Sequence, residues 1–113
     1  MTLSIPIIQQ ILNSVDAYSL LFRDRRVVLA NTKAIDWFTL SQDEFNDYIQ
    51  TQFIHQSSLE LVEKTYQKLL AGDDNLSLEV IIAHPKLGNL LLDVTVKQAD
   101  YFNDNLHWLV TFF

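Results

Sequence analysis

The chain contains no cysteine. Disulfides, thiolate metal sites, cysteine nucleophiles and cysteinyl–flavin adducts are therefore excluded. A reducing compartment is compatible with that absence, and a cytoplasmic location is expected. Glycine and proline number only two each, so helix ends and turns have to be made by polar residues. Basic residues are also scarce: eight Lys and Arg stand against fourteen Asp and Glu, a net charge of −6. Such a field repels phosphate backbones and anionic lipid, and no nucleic-acid partner is expected. Arg23, Arg25 and Arg26 are the one tight basic group, and Asp24 sits among them. No apolar run is long enough to span a bilayer. The opening MTLSIPIIQQIL has no basic leader and is interrupted by Pro6, Gln9 and Gln10, so neither a signal peptide nor membrane insertion is expected.

What is present is globular material, 49% apolar and 19% charged over 113 residues, sized for one core. Residues 5–15 read as a helix with Ser4 as N-cap and Pro6 in its first turn. Ile5, Ile8, Leu12 and Val15 share a face, and Ile7 and Ile11 widen it beyond an ordinary stripe. AYSLLF (17–22) and RVVLA (26–30) read as two strands joined by the charged turn. Asn31 then ends a strand and caps the helix TKAIDWF. Ser41 to Glu44 and Ser57 to Glu60 both have capping-box spacing. The second opens a helix with Leu59, Val62, Tyr66, Leu69 and Leu70 on one side and Gly72 as its stop.

The last third alternates with period two. Leu76, Leu78, Val80 and Ile82 alternate with Ser77, Glu79, Ile81 and Ala83. Leu90, Leu92, Val94 and Val96, then Leu106, Trp108, Val110 and Phe112, repeat the pattern. This is a half-buried antiparallel sheet, and strands do not alternate regularly with helices, so the class is α+β.

Over about 100 residues the order and spacing of these segments resemble a PAS domain. LLFRDRRVVLAN resembles the family's first hairpin, TKAIDWFTLSQDEF its helix pair, FIHQSS the region before its long helix, and LELVEKTYQKLLAGDD that helix. Three departures stand out. Phe38-Thr39-Leu40 replaces the glycine between the short helices, no proline follows His55, and the Asp-x-Thr exit after the last strand is missing. The resemblance implies a five-stranded antiparallel sheet in order 2-1-5-4-3, with short helices on one face. It divides the chain into an N-terminal helix over 1–16 and a PAS core over 17–113. It also implies a non-catalytic sensory or relay domain of a larger regulator, such as a sensor histidine kinase or a diguanylate cyclase. The chain's stop at Phe113 is read as a cut before a C-terminal effector domain.

Trp37, Phe38, Phe45, Tyr66 and Trp108 are the candidate walls of a pocket for a small ligand, which could include a non-covalent flavin. A simply filled aromatic core is the plainer reading of the same residues. No cofactor is expected, with non-covalent flavin and haem left open. Residues 59–70 hold no histidine to ligate haem, and His55 is assigned a structural role. His55, His84 and His107 lack ligand spacing, so no metal is expected. No nucleophile elbow, phosphate loop or metalloprotease motif occurs, and no catalytic residue is expected.

The sheet face away from the helices carries Ile81, Leu91, Leu109 and Phe113. Packing the N-terminal helix on that face buries both apolar surfaces, within one chain or between two. The helix keeps Ile7 and Ile11 to spare even when it covers its own sheet. A homodimer through Ile7, Ile11, Ile81, Leu91, Leu109 and Phe113 is therefore expected. The alternative function is a ligand-free dimerisation or protein-interaction module.

Overall fold

The alternating stretches of the last third become three long strands, and the first hairpin joins them in one sheet. The computed structural model describes residues 3–47, 53–73, 75–99, 101 and 107–112. In chain order the elements are α1 (Ile5–Asn13), β1 (Tyr18–Arg23), β2 (Arg26–Ala30), α2 (Thr32–Phe38) and α3 (Gln42–Asp47). A 3-10 turn (Gln56–Ser58), α4 (Leu59–Leu70), β3 (Asn75–His84), β4 (Gly88–Gln98) and β5 (His107–Phe112) follow. All five strands are antiparallel neighbours in the order β2-β1-β5-β4-β3. The fold is α+β. The register sets Phe22 opposite Trp108, Leu78 opposite Val94 and Val96 opposite Val110, so apolar side chains meet across strands on one face.

Side-chain chemistry fixes the starts of α2 and α3. Oδ1 of Asn31 accepts from the Ala34 N–H at 2.9 Å and starts α2. Ser41 and Glu44 form a reciprocal capping box, each side chain accepting the other's backbone N–H at 3.1 Å. The same spacing at Ser57 to Glu60 does not form a box. There Ser58 Oγ accepts from the Ile81 N–H at 3.0 Å, and Ser57 Oγ lies 2.8 Å from His55 Nδ1. Sheet and turn take both hydroxyls, and a 3-10 turn leads into α4 instead. Ser4 holds the N-cap position of α1 without a side-chain bond. At the end of α4, Gly72 takes φ 109°, its N–H reaches Leu69 O at 3.1 Å and that of Asp73 reaches Lys68 O at 3.0 Å. That is a Schellman ending, with glycine at the residue that must be left-handed.

Two apolar layers sandwich the sheet. On the inner face, Leu20, Phe22, Val80, Val94, Trp108 and Phe112 are buried beneath α2, α3 and α4. On the outer face, Ile8 and Leu12 of α1 are fully buried against Leu21, Leu29, Ala99 and Leu109. The chain thus covers the outer face of its own sheet over β1, β2 and β5. Leu109, expected in a dimer interface, is only 5% exposed because α1 lies over it. The buried stripe of α1 is also narrower than its sequence indicates, since Ile5, Ile7, Ile11 and Val15 remain exposed. Leu91 is exposed and its partner Ile81 half-buried. Phe113 falls outside the described residues.

Both sheet edges carry non-strand partners. At β2, the Ala30 N–H donates to Gln42 Oε1 at 2.8 Å, and Gln9 Nε2 donates to Ala30 O at 3.0 Å. At β3, residues 53–55 lie alongside, with His55 N–H to Ile81 O at 2.8 Å and Ala83 N–H to Phe53 O at 2.7 Å.

Candidate functional site

The inner layer is not completely filled. Val62, Tyr66 and Leu69 recur at helical spacing on α4 and face the sheet, leaving a cavity of about 80 Å³ between helix and strands. Its floor comes from β1, β3, β4 and β5, and Phe38 and Phe53 close one side. Leu20, Val80 and Val94 typify the lining, in which, among the described residues, Asp24, Thr65, Tyr66 and the indole N–H of Trp108 supply the polar groups.

Asp24, Thr65 and Tyr66 mark the mouth, where the β1–β2 turn meets α4. Asp24 takes a left-handed backbone conformation, φ 57°, and its carboxylate accepts from the Tyr66 hydroxyl. Next to it, both terminal nitrogens of Arg25 pair with the two oxygens of Glu63 at 2.8 Å each. The guanidinium carbon of Arg25 also lies 4.1 Å from the centre of the Tyr66 ring. The hydrogen bond from Arg25, assisted by one from Gln67, holds the Glu63 carboxyl below its usual range. The bond to Asp24, with a smaller contribution from burial, pushes the Tyr66 hydroxyl above its usual range, because ionising it would cost the donated proton. The turn and the helix are thus tied by one neutral donor, one bidentate ion pair and one stacked cation.

Of the aromatic residues expected to wall a pocket, Phe38, Tyr66 and Trp108 line the cavity. The Tyr66 and Trp108 rings meet edge to face at 5.8 Å. Trp37 and Phe45 do not line it. Phe45 packs behind Phe38, 5.4 Å away, and Trp37 stacks on Tyr18 at 4.6 Å. Sequence reasoning missed Phe53 and the Asp24–Tyr66 and Arg25–Glu63 pairs; the charged turn was visible, but its partners lie 42 and 38 residues away.

The residues present fit neither haem nor flavin. An apolar cavity of about 150 Å³ holds a benzene ring, and this one is about half that size. No histidine faces it. His55 caps the 3-10 turn through Nδ1, which accepts from the Ser57 N–H at 3.2 Å. His84 is buried between Trp37 and Phe38. Its Nδ1 accepts from the Lys86 and Leu87 N–H groups at 3.0 Å each, so Nε2 carries the proton and donates to Trp37 O at 2.7 Å. Among the described residues no group of three or more His, Asp or Glu is placed to hold a metal ion, and no helix is long and apolar enough to cross a membrane.

No protein-family model matches the chain, and no curated protein matches it in sequence. Solved structures do match. A PAS domain from a two-component sensor histidine kinase aligns with a TM-score of 0.73 at 12% identity, covering 96% of this chain and 93% of that one. The PAS domain of nitrogen regulation protein NR(II) from Vibrio parahaemolyticus aligns at 0.67 and 22% identity, covering 97% of each chain. The PAS domain of the quorum-sensing receptor RpfR from Cronobacter turicensis, in complex with C12:0, aligns at 0.70 and 11% identity, covering 87% of this chain and 92% of that one.

Proposed function

We propose that this chain, which has the PAS fold, is the sensory module of a larger regulator such as a sensor histidine kinase or a diguanylate cyclase. It holds a small ligand and leaves catalysis to a C-terminal effector domain. The observation that carries the reading is the apolar cavity between α4 and the inner sheet face, closed at one end by a polar tie. A core evolved only for packing would be expected to collapse such a space, because unfilled apolar volume costs stability. The solved receptor domain with C12:0 indicates that this architecture can host a ligand. A twelve-carbon chain is far too large for about 80 Å³, so the ligand here is smaller.

Output would pass through α1. Residues 1–16 act as a cap on a core spanning 17–113, and the exposed Ile7 and Ile11 face a second copy, with Leu91 and Ile81 as their counterpart surface. Ligand binding biases the geometry of that dimer. The competing reading, a ligand-free interaction module, uses the same outer surface and needs no cavity.

Xenon separates the two, since it enters dry apolar cavities without needing polar contacts. Under xenon pressure, crystals should show one atom beneath Tyr66 and Trp108, and Val80→Phe should abolish it. A cavity that takes no xenon in the wild type leaves the interaction module as the function.

A further inference from the structure

At the mouth of the cavity the Thr65 and Tyr66 hydroxyls and the Asp24 carboxylate offer acceptors, and the Trp108 indole N–H is the donor in the wall. The Thr65 hydroxyl proton is committed to Leu61 O at 2.9 Å, and that of Tyr66 to Asp24. What these groups present to an occupant is oxygen lone pairs, together with the Asp24 carboxylate. The nearest cation, Arg25, is engaged by Glu63 and is not part of the wall.

We propose that the ligand is a short aliphatic molecule with a hydrogen-bond-donating head, a primary alcohol or amine, whose head is taken by Asp24 while its tail fills the cavity. This rests on the reading of the cavity as a ligand site. The volume fixes the tail: about 80 Å³ is half the space that accommodates benzene, enough for three or four carbons. Charge fixes the head. A carboxylate would have to lose water beside the carboxylate of Asp24, with no cationic side chain among the lining residues to compensate, whereas an ammonium or hydroxyl finds its complement. The net charge of −6 also favours a cation over an anion on approach. The Tyr66 hydroxyl already donates to Asp24 Oδ1, so it competes with a ligand head for that oxygen.

Four four-carbon probes test this on the intact chain: 1-butanol, butylamine, butyrate and diethyl ether, the last an isomer of 1-butanol without a donor. Titrations are followed by the methyl resonances of Leu20, Val80 and Val94. 1-Butanol and butylamine are expected to shift them, with affinities at least tenfold above those for the ether and butyrate. Tyr66→Phe, which releases Asp24, should strengthen both by roughly three- to tenfold, the equivalent of one hydrogen bond. Asp24→Asn, in which the new side chain tolerates the left-handed backbone, should weaken butylamine at least tenfold and 1-butanol less. Ether or butyrate binding as tightly as 1-butanol overturns the donor-head assignment and leaves the cavity a ligand site. Failure of all four probes to move the methyls, with the wild-type spectrum intact, overturns the ligand-site reading itself.

Discussion

The side-chain nitrogen of Asn31 donates to the carbonyl oxygen of Leu12 at 3.1 Å, joining the last turn of α1 to the start of α2. The same nitrogen reaches Ala17 O at 2.7 Å, while Oδ1 accepts from Ser19 at 3.1 Å and from Ala34 at 2.9 Å. The residue is fully buried, and its amide makes all four of the hydrogen bonds it can make. Capping is therefore only a quarter of its role.

Aspartate should fail here although it is as good a cap as asparagine. It keeps the two acceptor bonds but turns a charged oxygen toward the carbonyls of Leu12 and Ala17. Asn31→Asp and Asn31→Ala are both expected to cost about 3 kcal/mol in urea unfolding, since each strands buried partners worth about 1–3 kcal/mol. An Asp variant within about 1 kcal/mol of wild type would mean that the cap alone matters.

His84 should show one tautomer. Long-range nitrogen–proton spectra at neutral pH are expected to place the proton on Nε2, because Nδ1 already receives two N–H groups. His84→Phe preserves the stacking with Phe38 but strands those donors and Trp37 O, and should lose about 2 kcal/mol. A ring protonated on Nδ1 would contradict the arrangement.

Ser19 lies fully buried under α1, and its hydroxyl has no partner among the described residues. Replacing it by alanine removes a desolvated polar atom. Ser19→Ala should raise stability by about 0.5–1 kcal/mol. A loss of that size instead would reveal a buried water held by the hydroxyl.

Alkali should loosen the mouth. The Tyr66 hydroxyl titrates above the ordinary tyrosine range because its neutral form donates to Asp24. A group raised in the folded state contributes stability that is present below its unfolded value, about 10, and that disappears as pH climbs through the folded value. Tyrosinate absorbance of wild type minus Tyr66→Phe should therefore show a component titrating above free tyrosine. The subtraction is needed because burial also pushes Tyr101 upward. A difference curve centred at or below the free value would show that the tie to Asp24 is broken in solution.

The two sides of α1 should answer differently to charge. Ile7→Glu and Ile11→Glu, on the exposed side, are expected to shift sedimentation toward monomer with unchanged circular dichroism. Leu109→Glu, beneath the helix, should instead unfold the chain or cost several kcal/mol, since a buried unpaired charge resists desolvation. A wild type that already sediments as a monomer at high micromolar concentration defeats the dimer.

Much of this architecture was legible because it is written locally. Period-two runs identified β3 and β4, and Asn31, Gly72 and the Ser41–Glu44 box each marked the boundary they make. Failures came where a distant group outbid a local one. Ser57 to Glu60 has the same spacing as Ser41 to Glu44, yet the Ile81 N–H, 23 residues on from Ser58, takes the Ser58 hydroxyl. The aromatic residues were visible as a set, but only the sheet's register determines that Trp108 meets Tyr66 while Trp37 stacks on Tyr18. Counting apolar positions on α1 overstated its buried face, because a helix lying on a sheet covers with one narrow stripe, here Ile8 and Leu12.

The dressed margins of the sheet bear on how this protein can go wrong. An open strand is a template on which another chain can crystallise its own backbone, the first step toward a fibril. Here Gln9 and Gln42 occupy one margin, and the 53–55 segment occupies the other. Seeding would first require a glutamine or that segment to peel away. Substituting Gln42 should thus shorten the lag before aggregation more than it lowers the melting temperature.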